Sequence, residues 1–278
     1  MTEAWFSGLA PDDREAAMTS IEEGYADAPA DWAALAVESG FADDEIDYYA
    51  TLHETALEAA RTAAAERERA DDRQVIHAVR AMDDAERTAN ELAERVAEWA
   101  GSRDGESSTG LDYCRELADG DPDGPADERV AALAGRAIDL DDERAALESF
   151  VERVATSVTP NLAALAGPTL AARLLSLAGG LEPLAKTSSS TVQLLGAEEA
   201  LFAHLSGAAP SPKHGVIYVH EYVRGTRPEK RGSAARALAG KLTIAARIDH
   251  YSGDRRPELE ADLDDRIAQI RGGSEADE

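Results

Sequence analysis

Cysteine is almost absent from this 278-residue chain: Cys114 is the only one, which excludes an intrachain disulfide and a cysteine-rich metal site and accords with a reducing compartment. Apolar runs are short. No stretch of about 18 apolar residues occurs, so no membrane span is expected. Met1 to Glu23 is acidic and mixed rather than basic and then apolar, so no secretory leader is expected either, and the expectation is a cytoplasmic protein. Catalytic signatures are also missing. Ser188-Ser189-Ser190 has no Gly-x-Ser-x-Gly setting, and neither a phosphate loop nor a dinucleotide fingerprint is present. His204, His214, His220 and His250 include no i, i+4 pair and have no thiolate near them, which argues against zinc. We therefore expect no catalytic residue, no metal and no cofactor. Lysine is scarce as well: Lys186, Lys213, Lys230 and Lys241 are the only four, all in the last third, and every other cation is Arg.

Acidic side chains are plentiful: 55 against 28 basic ones, a net charge of −27. With 44% apolar residues and long periodic segments, the excess fits a hydrated acidic exterior, as in proteins that stay soluble in concentrated salt, better than it fits disorder. One segment breaks the rule. From Ser211 to Arg247 there are eight basic residues and two acidic ones, and residues 160–253 as a whole are net positive. A chain this acidic has no general reason to gather cations, so the segment reads as the footprint of an anionic partner.

The pattern of apolar and turn residues is helical throughout. Pro11-Asp12-Asp13 and Pro29-Ala30-Asp31 open two short helices that Gly24 and Gly40 stop; only Trp5 to Leu9 has the look of a strand. From Asp43 to Trp99 no Pro or Gly intervenes, which predicts one helix of about 85 Å. Its second half carries an alanine-rich seam (Val75, Val79, Met82, Ala89, Ala93, Val96), and residues 101–125 read as a polar tip loop with a short helix near Leu111. Ala126 to Thr156 returns, so 43–158 reads as two antiparallel arms. Beyond Pro160 we expect helices over Leu162–Ala178, Ala197–Leu205 and Gly232–Asp249, an extended piece at Val216–Val219, and an acidic tail, 254–278, with one helix at 257–270.

Several segments together are specific: Thr159-Pro160-Asn161-Leu162, Thr191-Val192-Gln193-Leu194-Leu195-Gly196-Ala197-Glu198, Ala200-Leu201-Phe202, Pro212-Lys213-His214-Gly215 and Arg247-Ile248-Asp249. They resemble the Nop domain of the archaeal core proteins of box C/D small ribonucleoproteins, and Asp72-Arg73-Gln74-Val75-Ile76-His77 resembles that family's coiled-coil arm. The resemblance implies an all-α protein with a reduced N-terminal module (1–42), helical arms (43–158) and a Nop domain (159–253). It also implies a non-catalytic scaffold whose partners are a box C/D guide RNA, the small kink-turn-binding protein, the methyltransferase fibrillarin, and a second copy paired through the arms. Here Glu199 and Ala203 stand where the family usually has cations, and only about 40 residues precede the long helix where a larger module is usual.

Eleven residues are the candidates for RNA contact, each with a plainer alternative. His214 can stack on an extruded base beside Lys213 at phosphate, or be a solvated loop histidine. Gln193 can read a base edge or cap a turn. Gly196, Ala197 and Glu198 mark a helix start whose amides suit phosphate, or an ordinary start that Glu198 and Glu199 favour electrostatically. Arg224, Arg231, Arg236, Lys241 and Arg247 can meet phosphates or solubilise a helix, and about half are expected to touch RNA. Leu201 and Phe202 are expected in the core. A scaffold that no longer recruits the methyltransferase and a purely structural coiled-coil dimer are the rival readings.

Overall fold

The computed structural model describes residues 4–10, 13–24, 28–104 and 108–272. Every regular element among them is helical, and the chain divides into two compact units, Met1–Ala70 and Asp71–Glu278.

Among its described residues the first unit has three helices, α1 (Arg14–Glu23), α2 (Trp32–Ser39) and α3 (Glu45–Arg69). Each begins where an aspartate can accept an amide of the first turn: Asp13 from Ala16, Asp31 from Ala34, Asp44 from Asp47. Residues 11 and 12 of the expected first start lie outside the described set. The core of this unit is aromatic. Phe6, Phe41 and Tyr48 are buried, Trp5 packs edge-on to Phe41 with centroids 5.3 Å apart, and its indole N–H donates to the Tyr48 hydroxyl at 3.2 Å. The strand considered for Trp5–Leu9 is instead a pair of turns, with Ser7 N–H bonded to Ala4 O at 2.9 Å and Leu9 N–H to Phe6 O at 3.1 Å. With no strand to pair with, the segment satisfies its own backbone.

The single helix expected from Asp43 to Trp99 is two. α3 ends at Arg69, Ala70 is extended (φ −59°, ψ 144°), and α4 (Asp71–Asp104) starts afresh. Neither Pro nor Gly makes this break. The start of α4 is fixed by contacts more than 100 residues away in sequence: buried Asp72 accepts the Leu181 N–H at 2.9 Å, and Arg73 donates to Gly179 O at 3.1 Å.

In the second unit α4 runs out to a tip and α6 (Pro125–Val158) runs back, with α5 (Leu111–Asp119) folded against both. Near the tip, Ala93, Val96 and Ala100 pack with Cys114, Val130, Ala134 and Ala137; near the base, Val75, Val79 and Met82 share a core with Val151 and Ala155. That register is antiparallel, and the alanines let the two backbones approach closely. The expected tip loop is therefore shorter than 101–125, since α4 continues to Asp104 and α5 fills part of the remainder; residues 105–107 lie outside the described set. Burial pushes the Cys114 thiol up, which keeps it an inert core group.

The arms stand on a helical module. α7 (Pro160–Ala166) and α8 (Pro168–Ala178), expected as one helix, are bent 114° apart at Gly167, whose φ of +78° and following proline forbid a continuous rod. Then come α9 (Leu181–Lys186), α10 (Ser189–Leu194), α11 (Glu198–Leu205), α12 (Glu221–Arg224), α13 (Arg231–Tyr251) and α14 (Glu258–Gly272). α13 is the axis: Leu238, Leu242 and the small residues Ala234, Ala235, Ala239, Ala245 and Ala246 are all buried on it. Its buried Asp249 caps α7, accepting the amides of Asn161 at 3.0 Å and Leu162 at 2.8 Å and the Asn161 side-chain amide at 2.7 Å. The helix expected in the tail is α14, and it is docked: Leu259, Leu263 and Ile267 are buried, and Lys241 pairs with Asp262 at 2.8 Å. The hydrogen bond from the Tyr222 hydroxyl to Asp264 pushes the phenol up to about 12. Residues 273–278, the acidic end, lie outside the described set. No single helix among the described residues is long and apolar enough to cross a membrane.

Candidate nucleic-acid interface

After α10 the chain leaves the module at Gly196, forms α11, and returns at Lys213. The two strands of this neck are tied together. Gly215 N–H donates to Gln193 O at 2.9 Å, Val216 N–H to Leu195 O at 2.7 Å, and the Gln193 side-chain amide to Lys213 O at 2.6 Å. Gly215 has no alternative here, because a Cβ at this position would lie 1.9 Å from Leu195 O. The Val216–Val219 segment, expected to be extended, tightens into a 3-10 turn in which Tyr218 N–H bonds to Gly215 O at 3.0 Å.

That turn aims Tyr218 back at His214. The rings stack with centroids 4.6 Å apart and 23° between planes, and the Arg231 guanidinium lies 5.5 Å from the Tyr218 centroid. Arg231 in turn is held by Thr226 O, to which its Nε donates at 3.0 Å. Lys213 is exposed, and its methylene stem lies 3.8 Å from where a Gly232 Cβ would be, at the start of α13. Burial, then the nearby Arg231 and Lys213 charges, hold the His214 imidazole below its ordinary value. A neutral imidazole stacked on a phenol and flanked by two cations is suited to an unstacked base and its phosphates.

More than half of the chain, residues 120–270, matches the family model described as "Nop: snoRNA binding domain, fibrillarin". The chain belongs to the Nop family. Among similar proteins are an uncharacterised NOP5-family protein of Methanocaldococcus jannaschii, 48% identical over 132 residues (48% of this chain, 32% of that protein), and nucleolar protein 56 of Schizosaccharomyces pombe, 41% identical over 125 residues (45% and 25%). The matched part is thus about a third or less of these curated relatives. A chain of the crystal structure of a fibrillarin/Nop5p complex is similar in fold over 96% of this chain and 98% of that one, with a TM-score of 0.54 and 26% identity.

The Nop module does not gather all eleven candidate residues. Gln193, Lys213, His214 and Arg231 come together around the neck, with Arg224 exposed on the adjoining turn. Arg236 is exposed on α13 but five residues beyond Arg231, on a different face of the helix. Lys241 pairs with Asp262 of α14 at 2.8 Å. Arg247 donates from Nε to Ala185 O at 3.0 Å and sits 16 residues, about 24 Å, along α13 from Arg231. The phosphate reading of the α11 start also changes: the Gly196 amide is taken by the Glu198 carboxylate at 2.8 Å and the Ala197 amide by Leu194 O at 2.9 Å. Gln193 closes the neck, which is the capping alternative.

Phe202 is not core. It is 71% exposed and Leu205 72% exposed, and α11 buries no residue, so the excursion presents an uncovered apolar face. Sequence reasoning missed Tyr218 as a site residue. Its only signal was an aromatic four positions after His214, which an extended reading of Val216–Val219 conceals.

Proposed function

We propose that this protein is a non-catalytic cytoplasmic scaffold of a box C/D guide ribonucleoprotein, directing ribose 2′-O-methylation by holding guide RNA and methyltransferase in one assembly. The observation that carries the reading is the neck of the Nop module, where Lys213, His214, Tyr218 and Arg231 concentrate cationic and stacking groups on a chain of net charge −27. The RNA it takes is a kink-turn already wearing its small binding protein. A composite ligand suits a face that pairs a small basic stack with the exposed apolar side of α11. Residues 159–253 serve as the RNA-protein grip, the α4–α6 arms pair two copies, and the first unit docks fibrillarin. Similarity to a chain of a fibrillarin/Nop5p complex over 96% of this chain, first unit included, supports recruitment over a scaffold that has lost it. The contribution to rate is proximity, a raised local concentration of enzyme at one ribose.

The test is a titration of the full chain against kink-turn RNA bound by its small partner. His214→Ala and Arg231→Ala should each weaken binding about tenfold or more, in line with base-stacking and charged contacts. Lys241→Ala, whose charge is committed to Asp262, should change it less than about twofold. Undiminished binding in both of the first two variants would sink the RNA-grip reading, and failure of the full chain to retain fibrillarin would leave the scaffold without its enzyme.

A further inference from the structure

α14 lies outside the neck, yet one of its side chains reaches the turn that holds Arg231. Arg271 Nε donates to the Thr226 hydroxyl at 3.1 Å, its terminal nitrogen donates to Glu221 O at 3.0 Å, and its guanidinium lies 5.9 Å from the Tyr222 ring centroid. These three contacts span the Glu221–Thr226 turn from end to end. The far side of that turn holds Arg231: Thr226 O accepts its Nε at 3.0 Å, and Arg224 O accepts a terminal nitrogen at 3.4 Å. Thr226 is buried, and its hydroxyl, besides accepting from Arg271, donates to Tyr222 O at 2.6 Å. Gly225 leaves the room: a Cβ there would lie 3.2 Å from the Arg271 terminal nitrogen and 2.8 Å from Glu221 O. One guanidinium therefore shapes the turn, the turn aims a second guanidinium, and the second lies against Tyr218, on which His214 is stacked.

We propose that Arg271 is a positioning residue for the neck, acting through Thr226 and Arg231 on the Tyr218–His214 stack, so that the C-terminal helix sets the geometry of the RNA-binding face without touching RNA. This rests on the reading of the neck as that face. The helix is well placed to do it, because Leu259, Leu263 and Ile267 fix it to the module independently of Arg271. The same helix supplies a control: among the described residues Arg266 bonds only to Gln269 of its own helix, at 3.1 Å, so its removal costs the same charge and none of the contacts to the turn.

The test uses the full chain, with kink-turn RNA bound by its small protein as the probe and His214 proton resonances as a readout that needs no RNA. In Arg271→Ala, binding should weaken about tenfold, as for loss of charged hydrogen bonds, while Arg266→Ala should move it less than about twofold. In an Arg231→Ala background, Arg271→Ala should add less than about twofold, the non-additivity expected when one residue works through another. Thr226→Val, which keeps the shape and removes the acceptor, should reproduce most of the loss. His214 is faced by Lys213 from its own turn and Arg231 from α13, and freeing Arg231 should move its titration midpoint upward in Arg271→Ala but not in Arg266→Ala. Additive losses, or equal effects of the two arginines on both readouts, would overturn the proposal. A shifted His214 midpoint with RNA binding unchanged would leave the coupling standing and overturn the RNA reading of the neck instead.

Discussion

Gly215 shows how much a single missing methyl group decides. A Cβ there would sit 1.9 Å from Leu195 O, so Gly215→Ala must open the neck, and we expect a stability loss of about 1–3 kcal/mol with RNA binding reduced as far as in His214→Ala. Circular dichroism should find the helix content unchanged. Asp249 makes the opposite case, a site candidate's neighbour that is wholly structural. Its carboxylate serves three donors at the start of α7, and Asp249→Ala should cost about 3 kcal/mol in a denaturant melt by leaving the buried backbone amides of Asn161 and Leu162 unsatisfied. Two histidines give a pH dependence. His220 donates from Nε2 to Leu165 O at 3.0 Å and accepts Tyr222 N–H at Nδ1, so protonation would break the second bond. Burial holds both His220 and His214 below the ordinary histidine value, which means the unfolded chain takes up protons first as the pH falls. The contribution of these two imidazoles is therefore fully present above about pH 6.5 and declines as the pH falls through their lowered folded-state values, and the midpoint-against-pH curve should be shallower in His220→Gln.

At the scale of elements, periodicity and punctuation made most helices legible: the α4–α6 arms, α13, and the α2 stop at Gly40 all follow from spacing and caps. The breaks were harder. The α3–α4 interruption at Ala70 carries neither Pro nor Gly, and the start of α4 beyond it is held by Asp72 and Arg73 against the ends of α8 and α9, partners that no window of a dozen residues contains. The candidate site was half legible for the same reason. Charge clustering found Lys213, His214 and Arg231, but it could not see that Lys241 and Arg247 are committed elsewhere or that Phe202 is uncovered, because these depend on which faces the module turns outward. The docking of α14 yields an element-level prediction. Leu263→Asp should lower the thermal midpoint and weaken RNA binding together, since the helix that carries Arg271 is released.

For the molecule as a whole, charge governs solvent dependence. With −27 formal charges, self-repulsion opposes folding at low ionic strength, and screening tightens from about 10 Å at 0.1 M salt to about 3 Å at 1 M. Thermal scans should therefore show the midpoint rising with KCl over that range. RNA binding should fall less steeply with salt than for a basic RNA-binding protein, because few phosphate contacts are available and stacking on His214 and Tyr218 is insensitive to counterions. The base of the arms carries one more consequence. Asp72, Arg73 and Arg80 all bond to the ends of α8 and α9, and Asp83 meets Arg173 at 2.7 Å, so α4 is riveted to the Nop module over more than three turns. The part of α4 beyond this joint, residues 84–104, works as a ruler about 32 Å long, and splicing one heptad into both α4 and α6 should lengthen the span between tip and neck by about 10 Å, a graduated change in where anything held at the tip can reach.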